Sequence, residues 1–184
     1  MREMKGYLFL LVALAGSFFS MAPFACARGI ASSEQAVVVA TPEVLPLALD
    51  DAFRVVKVFS QTVDPSKNSR SMVAALKAEV DRRYFGAINA FERRLREGNY
   101  YTVRWQAPRR PEGSDIKVRL EYRQQKLGTH VQALDAHYPA ASGAVSTEFS
   151  VLGDDYYQDG PVVAWRVLLI ERGRIVGVQQ SFLW

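Results

Sequence analysis

The fold is decided by Ile116-Lys117-Val118-Arg119-Leu120-Glu121-Tyr122-Arg123, in which apolar and charged residues alternate without interruption. Successive side chains of an extended strand point to opposite faces, so this stretch has one dry face and one wet face. Such a pattern is typical of a half-buried strand in an antiparallel sheet. The sequence therefore predicts β-structure at this point of the chain.

The same period of two continues on both sides of this stretch. Upstream, Tyr101, Val103 and Trp105 alternate with more polar residues. Further strands are predicted at 130–134, 147–152, 162–170 and 175–184, with turn residues between them. Residues 53–59 are also predicted as a strand because they are rich in valine, although Leu49, Phe53, Val56 and Phe59 fit a helical stripe as well. Short strands at intervals of roughly 8–12 residues, without helices between them, favour two stacked antiparallel sheets over a parallel sheet.

The strand predicted at 162–170 is apolar on both faces apart from Arg166. A strand of this kind belongs inside a sheet, and we expect Trp165 to be packed between the two sheets. The polar residues that follow it, from Glu171 to Arg174, separate two apolar runs. They predict a tight hairpin that makes the last strand an antiparallel neighbour of 162–170.

A helical element is predicted at about 70–97, before the sheet residues of about 98–184. Ser69 or Ser71 can cap its first helix, and Val80 belongs to the apolar face of that helix. Asn89 followed by Glu92 resembles a capping box, which indicates a second helical piece. Gly98 is the predicted stop.

Several of these segments together resemble small exported bacterial proteins with an immunoglobulin-like or fibronectin type III-like sandwich. They are 100–105, 118–123, 153–156, 164–166 and 181–184. The resemblance covers about half of the chain and implies a fold class: mainly β, an immunoglobulin-like antiparallel β-sandwich with an N-terminal helical element. It implies no activity, cofactor or site residue. The cysteine pair of antibody domains is absent.

The N-terminal residues predict export. Residues 1–27 have a charged start, an apolar run and a final Ala25-Cys26-Ala27, which is typical of a cleaved signal peptide. An uncleaved membrane anchor and lipid attachment at Cys26 are the alternatives. Residues 28–46 are predicted to be a flexible leader or a single edge strand, and 47–184 a single domain. Cleavage would remove the only cysteine, so no disulfide is expected.

No motif in the sequence predicts catalysis, a metal site or a cofactor. His130 and His137 lie seven residues apart without nearby further ligands, so packing or surface roles are favoured over zinc. Asp154, Asp155 and Asp159 resemble a calcium loop, but Arg166 stands where the last carboxylate ligand belongs, so a turn is favoured. No serine has the surroundings of a nucleophile. We therefore expect a protein that is not an enzyme.

The sequence instead predicts a binding surface made of tyrosines and arginines. In an extended chain one tyrosine of each adjacent pair points outward, and basic residues recur on the polar faces of the strands. The candidate residues are Tyr100, Arg104, Arg119, Arg123, Tyr156 and Tyr157.

The chain has a net charge of +4, but export argues against nucleic acid as its ligand. The predicted function is binding or scaffolding of a protein partner in the periplasm or at the cell surface, with the membrane met only through the signal segment. One alternative is a module that binds a carbohydrate or anionic glycan. A lesser alternative, suggested by the terminal Phe182 and Trp184, is a small outer-membrane β-barrel.

Overall fold

A computed structural model of the chain describes residues 30–31, 36–39, 42–66 and 74–184. This part of the chain is mainly β. Its strands are β1 (Ile30–Ala31), β2 (Val37–Val39), β3 (Arg54–Val63), β4 (Gly98–Ala107), β5 (Ser114–Gln124), β6 (Gln132–Ala141), β7 (Gly143–Leu152), β8 (Val162–Glu171) and β9 (Arg174–Gln180). Its helices are α1 (Ala74–Tyr84), α2 (Ala90–Arg94) and α3 (Gly153–Asp159).

The strands form two sheets. One has the order β1-β7-β4-β3 and the other the order β2-β6-β5-β8-β9. All neighbours are antiparallel except the two-residue β1, which runs parallel to β7. The alternating stretch 116–123 lies in β5, the middle strand of the larger sheet, so the antiparallel prediction is confirmed. The apolar strand β8 is also internal, and β9 returns beside it as the hairpin predicted.

The two sheets share one core, to which both contribute their inward residues. Val118 and Leu120 of β5 are fully buried in it, as are Val103 of β4 and Phe149 of β7. Trp105 crosses between the sheets and meets Tyr138 of β6 edge to face, with ring centres 5.3 Å apart. The strict alternation seen in the sequence thus separates core residues from outer residues on both sheets.

Two tryptophans lie between the sheets, and they are buried to different extents. Trp105 is 1% exposed and its indole N–H donates to the Thr147 hydroxyl at 2.9 Å. Trp165 packs against the core, where its ring meets that of Tyr101 from the other sheet with centres 6.3 Å apart. The prediction that Trp165 packs between the sheets is confirmed, although its side chain is only half-buried.

Two helices, α1 and α2, lie within the segment predicted as helical. The capping box is confirmed: the Glu92 N–H donates to the Asn89 side chain at 2.9 Å, and the Glu92 carboxylate accepts from the Ile88 N–H at 2.7 Å. The proposed caps Ser69 and Ser71 lie outside the described residues. Gly98 does not end a helix but starts β4, where a side chain would come within 2.1 Å of the Val151 carbonyl oxygen.

The segment predicted as a flexible leader or a single edge strand contributes two short strands. Val37–Val39 pairs with β6 at the edge of the larger sheet, whereas Ile30–Ala31 pairs with β7 in the smaller one. The predicted signal peptide, residues 1–27, lies outside the described residues. Across the described ranges, no helix is long and apolar enough to cross a membrane.

Candidate functional site

The residues predicted to form one surface separate into three pairs: Tyr100 with Arg104, Arg119 with Arg123, and Tyr156 with Tyr157. The first pair lies on the outer face of the four-stranded sheet, and the second lies on the outer face of the five-stranded sheet. These faces are on opposite sides of the shared core. The third pair lies on α3. The structure therefore does not bring the six side chains together.

The outer face of the four-stranded sheet forms the floor of an open groove of about 320 Å³. The floor is built from cross-strand neighbours of β3 and β4, which point to the same side of the sheet. These neighbours are Lys57 with Arg104, Phe59 with Thr102, and Gln61 with Tyr100. We call this feature, with its lining residues from α1 and β7, the outer groove.

Helix α1 forms one wall of the outer groove. Arg83 is 16% exposed at its side chain and donates to Glu79 at 3.1 Å and to Glu148 of β7 at 3.4 Å. Its guanidinium also lies 4.3 Å from the centre of the Tyr100 ring. Arg82 binds Glu79 as well, at 2.6 Å. The acids of the groove are therefore engaged by α1, and this network holds the helix against the sheet.

Lys57 and Arg104 are left without an acidic partner. They are directly opposite on neighbouring strands, both are exposed, and the described residues form no ion pair with either. Like charges in this position repel each other and lower stability. An anion bound between them would remove that repulsion. The half-exposed ring of Phe59 lies one cross-strand pair further along the floor.

On the outer face of the five-stranded sheet, by contrast, Arg119 and Glu121 each have a partner of opposite charge. Arg119 is 5% exposed and donates two hydrogen bonds to Asp135, at 2.7 and 2.9 Å. These bonds raise the pKa of Arg119 above its usual value, against the opposing effect of burial. Glu121 is likewise buried and accepts from Arg166 at 2.9 Å. Arg119 is therefore not the exposed side chain that the sequence predicted.

The end of the described chain folds over this same face. The Arg123 guanidinium donates to the Leu183 carbonyl oxygen at 3.0 Å. The ring of Trp184 is contacted by two cations, Arg123 at 4.8 Å and Arg166 at 4.7 Å. Arg123 is therefore occupied by contacts within the chain. On this face, both side chains of the predicted interaction surface, Arg119 and Arg123, are therefore engaged by contacts within the chain.

The tyrosines of α3 belong to a hydrogen-bonded cluster rather than to a surface. Tyr156 is 3% exposed and donates to the Asp64 carboxylate at 2.8 Å. Tyr157 and Tyr84 both donate to the buried carboxylate of Glu97. Burial, helped by the bond to Glu97, raises the pKa of Tyr157 to about 12. The cluster holds α1 and α3 against the strand ends, so the expectation of an outward Tyr156 was wrong.

The acidic cluster that resembled a calcium loop forms the short helix α3 instead of a turn. His137 of β6 pairs with Asp115 at 2.5 Å on the surface. His130 is exposed in the loop between β5 and β6. Within the described residues, no group of three or more histidine, cysteine, aspartate or glutamate side chains is placed to hold a metal ion.

Sequence reasoning found Tyr100 and Arg104 but missed Lys57, Phe59 and the wall from α1. Residues 54–63 do not alternate strictly, so the sequence did not place Lys57 and Phe59 on the outer face, and the position of α1 over the sheet left no local trace. Comparisons with protein families, with curated proteins and with solved structures give no match for this chain.

Proposed function

We propose that this chain is an exported binding or scaffolding module without enzymatic activity. It would work in the periplasm or at the cell surface as an immunoglobulin-like β-sandwich with an N-terminal helical element. Its ligand would be an extended acidic segment of a partner protein, taken up in the outer groove along β3. The proposal needs no cofactor, metal or nucleic acid.

The observation that carries the proposal is the cationic pair of Lys57 and Arg104 on the floor of the outer groove, with which the described residues form no ion pair. On the other sheet, by contrast, Arg119 is matched to Asp135 and Arg166 to Glu121. Two adjacent exposed cations favour a negatively charged ligand. Arg82 and Arg83 of α1 are balanced by Glu79 and Glu148, so Lys57 and Arg104 give the outer groove its excess positive charge.

The edge of β3 supports a protein segment as the occupant. In the described part of the chain, β3 pairs only with β4, and no other backbone group bonds to residues 54–63. Its register is regular from Lys57 to Val63, after a shift between Val55 and Lys57. An edge of this length can accept an added strand through backbone hydrogen bonds, while the groove selects its side chains.

Hydrogen exchange tests this mode of binding directly. Acidic peptides selected from a random library should bind the purified protein and slow exchange at alternate amides of residues 57–63. Slower exchange only at amides outside β3 would contradict strand addition.

Charge reversal tests the ligand chemistry. Lys57→Glu with Arg104→Glu should weaken binding of the acidic peptide by at least about tenfold at low salt, because attraction becomes repulsion. Arg172→Glu with Arg174→Glu, at two exposed arginines of the β8–β9 hairpin in the other sheet, makes the same change in net charge and is the matched control, which should change binding little. Equal loss in both variants would indicate a general charge effect instead of a site.

The second candidate is an anionic glycan, favoured by the half-exposed Phe59 ring beside the same cations. A sugar ring can stack on an aromatic face while its carboxylate or sulfate meets Lys57. A glycan would bind without protecting the β3 amides, and Phe59→Ala would abolish its retention on an immobilised acidic polysaccharide. These two readouts separate the candidates.

A further inference from the structure

An apolar tip is formed by the turn between α1 and α2. Phe85 and Ile88 are 84% and 89% exposed, and Phe91, in the first turn of α2, is 69% exposed. Exposure of this extent means that the three side chains protrude from the surface instead of lining a groove. Large apolar side chains grouped in this way mark an interaction site more often than scattered ones do.

The turn that carries these side chains is braced. The Ala87 N–H donates to the Tyr84 carbonyl oxygen at 2.9 Å, and the Ile88 N–H donates to the Glu92 carboxylate at 2.7 Å. The Arg96 guanidinium binds the Phe85 carbonyl oxygen from beneath the turn. The N–H groups of Phe85, Ala87 and Ile88 and the Phe85 carbonyl oxygen are thus paired within the chain, which lowers the desolvation cost of moving this turn into a less polar medium.

The surroundings of the tip are basic. Residues 81–96 contain five arginines against two acids, Asp81 and Glu92. Arg82 and Arg83 are paired with Glu79, and Arg96 donates to carbonyl oxygens of the turn, so the exposed cations beside the tip are those of α2, Arg93 and Arg94. Glu92 is engaged by the turn itself. Arg93 is exposed, and in the described part of the chain it forms no ion pair. Apolar side chains at a tip, surrounded by arginines, match the acyl boundary and the anionic headgroups of a lipid surface.

We propose that the tip docks the protein on an anionic membrane surface. Phe85, Ile88 and Phe91 enter the interfacial layer, while the exposed Arg93 and Arg94 contact the headgroups. A lipid surface fits better than a protein partner, because protruding side chains need no shape-complementary pocket in lipid. This docking is separate from the outer groove, and it leaves the groove free to bind its own ligand.

Vesicle co-sedimentation tests the proposal, with protein purified from the exporting cell after its N-terminus has been determined by mass spectrometry. Phosphatidylglycerol vesicles should bind the protein, and pure phosphatidylcholine vesicles should bind it more weakly. Replacing Phe85 and Ile88 by serine should lower partitioning by about tenfold per side chain, since each loses its apolar burial. Arg93→Gln should lower it by about fivefold, and only on the anionic vesicles.

The matched control is Phe182→Ser with Val44→Ser, which removes apolar residues that are equally exposed but lie outside the tip. It should leave partitioning unchanged. An Ile88→Trp variant should show a blue shift of its added fluorescence on anionic vesicles, which reports insertion directly.

Equal partitioning of the wild type and the Phe85→Ser/Ile88→Ser variant would overturn the proposal. So would a dimer in solution that dissociates in that variant, because the tip would then be covered by a second copy. Retention of acidic-peptide binding by the tip variant separates a failure here from a failure of the outer groove.

Discussion

The outer faces of the two sheets both carry basic residues but use them differently. On the five-stranded sheet, Arg119 and Arg166 are paired with acids, and Trp184 lies over the charged rows. On the four-stranded sheet, Lys57 and Arg104 are cross-strand neighbours, and the residues that the structure describes form no ion pair with them. The first arrangement stabilises the fold, whereas the second costs stability. A face that retains an unfavourable charge arrangement is the better candidate for binding.

The largest expected effect is on the paired face. Asp135→Asn leaves Arg119 buried without its carboxylate and should lower the free energy of unfolding by about 3–5 kcal/mol. Urea denaturation followed by circular dichroism measures the change. Asp115→Asn, which affects an exposed pair with His137, is the control and should cost less than about 0.5 kcal/mol. Similar losses in both variants would show that burial does not distinguish the two pairs.

The second-largest effect is a pH dependence of stability that comes from Tyr122, on the inner side of β5. Burial, followed by the charges of Asp155 and Asp159, raises the pKa of Tyr122 from 10.0 to about 12. The unfolded chain therefore loses this proton first. The contribution of Tyr122, about 2–3 kcal/mol, is complete below pH 10 and is lost as the pH rises to about 12.

Denaturation midpoints measured across this pH range should fall less steeply in Tyr122→Phe than in the wild type. An identical slope in the two proteins would mean that Tyr122 titrates normally in the folded state.

A smaller effect is expected where the end of the chain covers the paired face. Trp184→Ala removes the contacts of the ring with Arg123 and Arg166 and should cost about 1–2 kcal/mol. Thermal denaturation measures the loss. Phe182→Ala is the control, because Phe182 is fully exposed and should contribute nothing measurable. An unchanged melting temperature for Trp184→Ala would show that this cover is not part of the folded face.

The smallest effects come from the same lysine-to-glutamine substitution made once on each outer face. Lys57→Gln removes repulsion from Arg104 and should stabilise the protein by up to about 0.5 kcal/mol at low salt, an effect that salt diminishes. Lys117→Gln removes attraction to Asp135, which lies 3.7 Å away, and should destabilise it by up to a similar amount, about 0.5 kcal/mol. Melting temperatures at two salt concentrations test the opposite signs. The same sign in both variants would remove the distinction between the faces.

Much of the local structure was predictable, because local residues determine it. The alternation in 116–123, the capping box at Asn89 and the hairpin before β9 each depend on neighbours within a few positions. Tyr156 was misjudged for the opposite reason. Its burial depends on a segment distant in sequence, because its hydroxyl donates to the Asp64 carboxylate just after β3.

The candidate site was likewise predictable only where local residues determine it. Tyr100 and Arg104 could be named from their alternation on one strand. Their grouping with Arg119 and Arg123 failed, since strands with the same pattern entered different sheets. Lys57 and Arg83 join the outer groove only because β3 pairs with β4 and α1 packs beside them.

By itself the sequence determined which residues alternate between dry and wet faces, where α2 begins, and how basic the chain is. These properties follow from backbone geometry and side-chain chemistry over short distances. Only the tertiary structure decided which sheet each strand joins, which cations meet acids, and which aromatic rings are buried. Those outcomes depend on pairing between residues far apart along the chain, where many registers satisfy the same local pattern.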